Sequence, residues 1–234
     1  MPIELVVFDM AGTTVRDKNY VAIAFQQAMQ AHGYHVAVEQ VNPIMGYEKP
    51  LAIRMMLRDL ETETEKITAD LVSAIHSEFV SKMISFYSTA NEIEPLPDVE
   101  HTFRILRDNG IKIALNTGFS RNIADVIIRR LGWEDKIDLL VASDQVSSGR
   151  PAADMINKIM LDLQVDSPDR VAKVGDTEVD INEGINAQCK YVIGITTGAF
   201  TCAELEPYHP THIVDNISDV IQIVLLNGTE PESK

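Results

Sequence analysis

Cysteine is scarce in this sequence of 234 residues, which contains only Cys189 and Cys202. The two do not form a CxxC pair and no histidine cluster accompanies them, so neither a disulfide framework nor a zinc site has support. A long apolar run is also missing at the beginning of the chain, where an acid follows four apolar residues. Such a run is too short for a signal-peptide core or a membrane span. We therefore expect a cytoplasmic protein with no membrane partner.

Positive charge is also in short supply. The chain has 20 Lys and Arg residues against 35 Asp and Glu, which gives a formal net charge of −15 at pH 7. This charge repels a polyanion and no basic stripe compensates for it, so we expect no nucleic-acid partner. A small anionic metabolite is still compatible with this charge as a substrate, because a local cluster of cations, a metal or both can overcome the surrounding negative field.

Apolar segments of strand length alternate with amphipathic helical segments from residue 99 onward. The predicted strands are residues 5–8, 111–115, 139–142, 171–174 and 191–195, with a weaker one at 212–214. One helix is predicted to begin after Ser120, a favourable N-cap residue, and to stop at Gly132. The alternation predicts an α/β protein with a doubly wound, Rossmann-like parallel sheet, whose ligands bind at the carboxyl ends of the strands.

Residues 17–91 interrupt this alternation. They contain no convincing strand and three helical patterns, at residues 20–31, 50–60 and about 65–87. We interpret them as an all-helical cap domain inserted after the first strand. Pro95 and Pro97 stiffen the returning segment, which is typical of a hinge. The catalytic core would then consist of residues 1–16 and 92–234.

Four short polar segments follow four of the predicted strands. They are FDMAGTT at residues 8–14, NTG at 116–118, GRP at 149–151 and GDTEVD at 175–180. Because the carboxyl ends of parallel strands share one edge of a sheet, we expect these segments to meet there. Together they supply carboxylates, a hydroxyl, an arginine and glycines that expose backbone N–H groups.

This set of groups suits transfer of a phosphorus group to a carboxylate. Attack by Asp9 on phosphorus requires neutralised charge, which Mg²⁺ held by Asp9 and Asp176 would provide. Arg150 is predicted to clamp two phosphoryl oxygens at once. Thr117, ahead of the helix that begins near Ser120, adds its hydroxyl and nearby amides. The sequence thus predicts a magnesium-dependent enzyme that acts on a small phosphorylated or phosphonate metabolite, with Asp9 as the nucleophile.

The four segments resemble, in order and spacing, the signature of the haloacid dehalogenase superfamily, and the resemblance covers essentially the whole chain. It implies a doubly wound core with a helical cap, and suggests a homodimer. Asp9 matches the nucleophile, Thr117 the phosphate-binding hydroxyl and Arg150 the usual lysine position. The implied metal site consists of Asp9, Ala11, Asp176 and Asp180. The implied substrate-binding residues are Gly12, Thr13, Met45, Gly46, Thr117, Gly118 and Arg150. Asp180 is either a ligand or a residue that positions ligands.

One position departs from most phosphatases of this superfamily. They carry a second aspartate two residues after the nucleophile, where this chain has Ala11. That aspartate protonates the leaving group and later activates water, and general acid–base catalysis contributes about 10²- to 10⁴-fold. Ala11 together with Arg150 resembles one branch of the superfamily, the phosphonoacetaldehyde hydrolases or phosphonatases.

Phosphonatases also carry a cap lysine, in a Met-Gly-x-x-Lys pattern followed by an arginine, that forms a Schiff base with the substrate aldehyde. Residues 45–49 read MGYEK, and Arg54 follows at the matching distance. An iminium accepts the electrons of the carbon–phosphorus bond, so the leaving carbon needs no acid beside Asp9. A helix that begins at Pro50 would lower the pKa of Lys49. The branch has a histidine three residues after the lysine, where this chain has Ala52.

The resemblance predicts cleavage of the carbon–phosphorus bond of phosphonoacetaldehyde or of a related small aldehyde. Two other functions stay open. A conventional phosphatase, acting on phosphoglycolate or a sugar phosphate, would use Lys49 only for binding or not at all. A catalytically silent scaffold would keep phosphate and metal binding without turnover.

Overall fold

The centre of the structure, a computed structural model that describes residues 1–89 and 93–226, is a parallel sheet of six strands. The strands are β1 (Leu5–Asp9), β2 (Lys112–Thr117), β3 (Leu139–Ala142), β4 (Val171–Gly175), β5 (Tyr191–Ile195) and β6 (His212–Val214). Their order is β3-β2-β1-β4-β5-β6 and every neighbouring pair is parallel. This is the doubly wound order, so the predicted fold class is confirmed.

Helices cover the sheet and form the segment after β1. They are α1 (Tyr20–Ala31), α2 (Val38–Val41), α3 (Lys49–Leu60), α4 (Ala69–Thr89), α5 (Val99–Asp108), α6 (Arg121–Leu131), α7 (Asp154–Asp162), α8 (Glu178–Asn186), α9 (Cys202–Leu205) and α10 (Asp219–Leu226). Within the described residues, none of them combines the length and the apolar character that crossing a bilayer requires.

The side chains of β1 show how the sheet is buried on both faces. Val6 and Phe8 belong to one apolar cluster, which also contains residues of α1, α5 and α6. Leu5 and Val7 belong to another, which contains residues of α7 and α8. Successive side chains of a strand point to opposite faces, so this continuous apolar run fills two cores. Asp9 then ends the strand, where the run stops.

The predicted start of the third cap helix and the predicted capping by Ser120 differ from the structure. The third cap helix begins at Ala69 rather than near residue 65, because a 3₁₀ turn at Thr64–Lys66 precedes it and Thr68 Oγ1 accepts a 3.1 Å hydrogen bond from the Leu71 amide. Ser120 stands at the N-cap of α6, but its hydroxyl donates to Asn122 Oδ1 at 2.6 Å instead of capping the helix. Gly132 ends α6 with φ +62°, a left-handed conformation that suits glycine.

The outgoing and returning segments of the helical insertion run side by side. Val15 and Pro95 form an antiparallel bridge, and the Leu96 amide donates to Thr14 O at 3.0 Å. Arg16 donates its own amide to Glu94 O at 3.1 Å. Between residues 17 and 89 the regular elements are helical, as the sequence predicts. The predicted boundary at residues 91 and 92 lies outside the described residues.

Candidate active site

The loops that follow β1, β2, β3 and β4 meet the helical insertion around a cavity of about 170 Å³. Asp9 ends β1, Thr117 ends β2, Arg150 lies after β3, and Asp176 directly follows β4. The site residues predicted from the sequence that line this cavity are Asp9, Ala11, Gly12, Met45, Gly46, Lys49, Thr117, Gly118, Arg150, Asp176 and Asp180. The fold thus brings together groups that are far apart in the chain.

Thr13 differs from its predicted role as a substrate-binding residue. Its side chain is fully buried and is not among the groups that line the cavity. Its Oγ1 instead donates a hydrogen bond of 3.1 Å to Asp176 Oδ1. Thr13 therefore positions an acidic side chain, because the tight turn after β1 directs its hydroxyl towards the loop after β4.

Asp9 is buried at the centre of the site, with 5% of its surface exposed. Arg150 Nη1 donates a 2.6 Å hydrogen bond to Asp9 Oδ1. Burial raises the pKa of Asp9, whereas the charges of Arg150 and Lys173 oppose that rise. The two cations favour the carboxylate form that a nucleophile needs.

Asp176 has an environment that suits a metal ligand. Burial raises its pKa well above the usual range, and the nearby charges of Asp9 and Asp180 raise it further. One ligand atom from each of these three carboxylates lies within 4.8 Å of the others. Among the described residues Asp176 has hydrogen bonds from Thr13 and Ala199 but no cationic partner, and carboxylate oxygens are the ligands that a hard divalent cation prefers, so the residues present fit Mg²⁺.

The two carboxylate oxygens of Asp180 differ, because Oδ1 has ion-pair contacts but accepts no hydrogen bond from a described residue. Oδ2 accepts hydrogen bonds from Thr177 Oγ1 at 2.6 Å and from the Thr177 amide at 3.3 Å, which caps α8. Oδ1 lies 2.9 Å from Arg150 Nη1 and 3.0 Å from Lys173 Nζ. Burial acts to raise the Asp180 pKa, but Arg150 and Lys173 outweigh it and the pKa is lowered. The ion pairs suit a role in positioning the cations of the site, and the buried Oδ1 without a hydrogen bond suits metal ligation, so both roles predicted for Asp180 fit these contacts.

Arg150 directs its guanidinium at protein groups. Nε donates to Glu183 at 3.1 Å, Nη1 to Asp9, and Nη2 to both the backbone oxygen and Oδ1 of Asn116 at 2.8 and 2.5 Å. Its side chain is 1% exposed. The expected clamp on two phosphoryl oxygens is therefore replaced, in this conformation, by a fork that holds Asp9 against β2 and α8.

Three residues of this buried network were not identified from the sequence: Asn116, Lys173 and Glu183. Lys173 Nζ lies 2.7 Å from Asn116 Oδ1 and 3.1 Å from Glu183 Oε2. Asn116 Nδ2 donates to both carboxylate oxygens of Glu183. Two signals were present in the sequence. Lys173 interrupts the apolar strand VAKVG, and Glu183 lies three residues after Asp180 on one helix face.

Lys49 comes from the helical insertion and is 2% exposed. It is itself the first residue of α3, one position earlier than predicted. Its Nζ donates to Met45 O at 2.7 Å and Tyr47 O at 3.0 Å, and lies 5.6 Å from the centroid of the Phe119 ring. Burial lowers its pKa to about 8, with Asp9 opposing that shift. Burial, rather than the helix terminus named from the sequence, is thus the largest cause of the lowered pKa.

The loop that carries Lys49 packs directly on the core. A Cβ atom at Gly46 would clash with Thr177 and Val179, and a Cβ atom at Gly118 would lie 2.8 Å from Tyr47 O. Tyr47 also donates a 2.8 Å hydrogen bond from its hydroxyl to Glu178 Oε1. Glycine is needed at these two positions because backbone meets backbone and side chain there. The same contacts hold Lys49 over the cavity.

Two histidine positions bear on proton transfer. Ala52, at the position of the expected histidine, is buried in α3. His76 on α4 is half-buried, and its pKa is lowered first by burial and then by the charge of Lys49. His76 does not line the cavity.

Comparison with known proteins points to one family. A family model of haloacid dehalogenase-like hydrolases matches residues 3–188. A phosphonoacetaldehyde hydrolase of Bacteroides fragilis is 30% identical over 240 residues, which covers 97% of this chain and 90% of that protein. The phosphonoacetaldehyde hydrolase of Parabacteroides distasonis is 35% identical over 205 residues, which covers 83% of this chain and 76% of the relative.

Solved structures share the fold at lower identity. A phosphonoacetaldehyde hydrolase-like protein from Oleispira antarctica superposes with a TM-score of 0.82 at 23% identity, covering 99% of this chain and 96% of its own. A hydrolase from Pseudomonas syringae superposes with a TM-score of 0.84 at 18% identity, covering 99% of this chain and 100% of its own. The sheet and the helical insertion are therefore shared features of this fold.

Proposed function

The chain belongs to the haloacid dehalogenase-like hydrolases, in their phosphonatase-like branch, and we propose that it cleaves the carbon–phosphorus bond of phosphonoacetaldehyde or of a related small aldehyde. One observation carries the proposal: a lysine from the helical insertion, Lys49, lines the same cavity as Asp9 and has a pKa lowered to about 8. A lysine whose pKa is lowered by burial is the usual nucleophile for a carbonyl substrate.

The first step is imine formation at Lys49. Nζ attacks the aldehyde carbon, the carbonyl oxygen leaves as water, and the nitrogen becomes an iminium. At pH 7 a pKa of about 8 leaves roughly one lysine in ten as the free amine, against fewer than one in a thousand at the ordinary pKa. The buried environment therefore raises the reactive fraction more than a hundredfold, as an order-of-magnitude estimate.

The second step is attack by Asp9 on phosphorus. A bond forms between a carboxylate oxygen and phosphorus while the carbon–phosphorus bond breaks. Its electron pair moves towards the iminium and gives an enamine, so no acid is needed at Ala11. Arg150 holds Asp9 Oδ1 at 2.6 Å and thereby orients the carboxylate. Water then releases phosphate from the aspartyl phosphate, and protonation and hydrolysis of the enamine free Lys49.

We propose Mg²⁺ as the cofactor, which Asp9, Ala11 and Asp176 would hold, with Asp180 as a further ligand or as the residue that positions them. When bound, this ion neutralises negative charge on the phosphoryl oxygens and on the attacking carboxylate. Thr117, which is buried at the end of β2, and Gly118 are proposed to contact the phosphoryl group, and Met45 and Gly46 to contact the aldehyde end. A cytoplasmic location and a homodimer stay predictions from the sequence.

Borohydride reduction during turnover tests the proposal. The protein is incubated with Mg²⁺ and phosphonoacetaldehyde, reduced, digested and mapped by mass spectrometry. The expected result is an ethyl or phosphonoethyl group on Lys49, its absence in Lys49→Met, and no phosphate release by that variant. Lys82→Met, on the partly exposed Lys82–Glu78 pair of α4, is the matched control and keeps both signals.

The alternative, a phosphate monoesterase of the phosphoglycolate or sugar-phosphate type, gives the opposite pattern. Phosphate is then released from esters by wild type and by Lys49→Met alike, and reduction leaves Lys49 unmodified. Such a result would sink the phosphonatase proposal. Failure to release phosphate from either substrate class with Mg²⁺ present would instead favour a silent scaffold.

A further inference from the structure

Six titratable side chains line the cavity among the described residues: Asp9, Asp17, Lys49, Arg150, Asp176 and Asp180. The proposed function uses five of them. Asp17 is left, and it lies outside the four polar segments that follow the strands. It lies just after the segment that leaves the core and just before α1 (Tyr20–Ala31).

Asp17 lines the cavity, and only one oxygen of its carboxyl accepts hydrogen bonds from described residues. Oδ1 accepts hydrogen bonds from the amides of Tyr20 at 2.7 Å and Val21 at 3.4 Å. No described residue donates a hydrogen bond to Oδ2. The side chain is half-buried and its position is fixed through Oδ1, so Oδ2 is held in place beside the cavity.

Asp17 and Lys49 line the same cavity and act on each other electrostatically, but no direct hydrogen bond joins them, since Lys49 Nζ donates to Met45 O and Tyr47 O. The charge of Lys49 lowers the pKa of Asp17, and the charge of Asp17 raises the pKa of Lys49. Other charged groups that act on Lys49 are Asp9 and Arg150, both assigned to phosphoryl transfer. Burial outweighs the backbone hydrogen bonds and keeps the pKa of Asp17 raised, which brings it nearer to the pH at which an acid–base group works best.

Imine formation at Lys49 needs a group that can both accept and donate a proton. The ammonium must lose a proton before it attacks, and the hydroxyl of the carbinolamine must gain one before it leaves as water. The position at which a histidine was expected holds Ala52, which has no proton to give, and His76 does not line the cavity.

We propose that Asp17 is the proton-transfer residue for Schiff-base formation at Lys49, an inference that rests on the proposed function. The Asp17 carboxylate takes a proton from the Lys49 ammonium through one water molecule, and the amine attacks the aldehyde carbon. Asp17 returns that proton to the alkoxide, takes a second one from the nitrogen, and gives it to the hydroxyl. Water leaves, the nitrogen lone pair forms the iminium, and Asp17 ends as a carboxylate.

The rate of imine formation tests this role without phosphorus chemistry. Acetaldehyde forms an imine and transfers no phosphoryl group, so we choose it as the probe beside phosphonoacetaldehyde. Samples are quenched with borohydride at intervals between pH 6 and pH 9, and modified Lys49 is counted by mass spectrometry. Asp17→Asn is expected to slow the reaction about 10²-fold or more and to change its pH profile. Asp17→Glu is expected to restore part of the rate.

Asn keeps an oxygen that can accept the Tyr20 and Val21 amides, so the Asp17→Asn unfolding midpoint should match that of wild type. Asp70→Asn, which removes an exposed carboxylate from α4, is the matched control and should leave the rate unchanged. If wild type forms the adduct and Asp17→Asn forms it at the same rate and with the same pH profile, the role of Asp17 is overturned while the proposed function stands. The role of Asp17 is also overturned if His76→Gln slows imine formation and Asp17→Asn does not. Absence of any wild-type adduct would overturn both this inference and the proposed function.

Discussion

Arg150 Nη1 and Asp9 Oδ1 form a hydrogen-bonded ion pair of 2.6 Å, with side chains 1% and 8% exposed. The pair joins the loop after β3 to the end of β1, across the intervening strand β2. The remaining nitrogens of Arg150 bond to Asn116 and Glu183. Arginine at this position therefore orients the carboxylate of Asp9 and also satisfies acceptors that lysine has too few donors to reach.

Replacing Arg150 by lysine tests this distinction. Arg150→Lys keeps the positive charge but loses the planar fork, so Asn116 and Glu183 lose buried hydrogen bonds from Arg150 while those from Lys173 and Asn116 Nδ2 remain. We expect a loss of about 1 to 3 kcal/mol in the free energy of unfolding and a fall of at least tenfold in kcat. Urea unfolding and phosphate release measure the two effects.

Arg104→Lys is the matched control, because Arg104 is exposed and lies 3.8 Å from Asp108 in an ion pair of the kind that contributes little. Its free energy of unfolding should lie within about 0.5 kcal/mol of the wild-type value. Wild-type stability and activity in Arg150→Lys would contradict the role assigned to the fork.

The positions of the site residues could be predicted from the sequence, but their hydrogen-bond partners could not. Asp9, Thr117, Arg150 and Asp176 follow apolar strands, and parallel strands place their carboxyl ends together. Their proximity was therefore predictable. The partners of Arg150 were not, because a fork can reach acceptors on any neighbouring element and the sequence does not give distances.

Asp17 and Thr13 show that the sequence does not predict which side chains of the segment after β1 reach the cavity. Thr13 lies within a recognisable segment, yet its hydroxyl faces Asp176 rather than the cavity. Asp17 lies in no motif, yet the path of the chain out of the core carries it to the cavity. The direction of a side chain in an irregular segment depends on tertiary packing, and a local sequence pattern does not predict that packing.

The stability of Lys49→Met checks the lowered pKa of Lys49. The pKa is about 8 in the folded chain and 10.5 without the fold, so protonation of the buried amine opposes folding below pH 8 by about 3 kcal/mol. The lost hydrogen bonds to Met45 O and Tyr47 O offset part of this, at about 1 kcal/mol each. We expect Lys49→Met to be about 1 kcal/mol more stable than wild type at pH 7 by urea unfolding.

The sign of the pH dependence is fixed by the same shift. Between pH 8 and pH 10.5 the unfolded chain keeps the proton that the folded chain has lost, so wild type gains stability relative to Lys49→Met as the pH rises. Lys82→Met should follow wild type through this window. If the free energies of unfolding of wild type and Lys49→Met change with pH in parallel, the pKa of the Lys49 amine is not lowered in the folded chain.

Gly46→Ala tests whether the loop contact with the core keeps Lys49 buried. A Cβ atom at Gly46 clashes with Thr177 and Val179, so the loop must move away from α8. Burial is the largest cause of the low pKa of Lys49, and partial exposure should return it towards 10.5. The pH midpoint of imine trapping at Lys49 is therefore expected to rise, with slower trapping at pH 7.

Tyr47→Phe is the companion variant. It removes only the hydroxyl that donates to Glu178, so its midpoint should move in the same direction by a smaller amount. An unchanged midpoint in Gly46→Ala, with the variant folded, would show that burial of Lys49 does not depend on this contact.

Ala11→Asp tests why this chain lacks a second aspartate. Ala11 lines the cavity beside Asp9, and an acid there can protonate the alkoxide that leaves a phosphate ester. We expect Ala11→Asp to release phosphate from 2-phosphoglycolate at least tenfold faster than wild type, since general acid catalysis contributes about 10²- to 10⁴-fold. Ala11→Asn has nearly the same size without the acid and should show no gain. Carbon–phosphorus cleavage should not gain in either variant, because its leaving group is an enamine carbon. Equal ester hydrolysis by wild type and Ala11→Asp would mean that another acid already serves the leaving group, as a phosphate monoesterase requires.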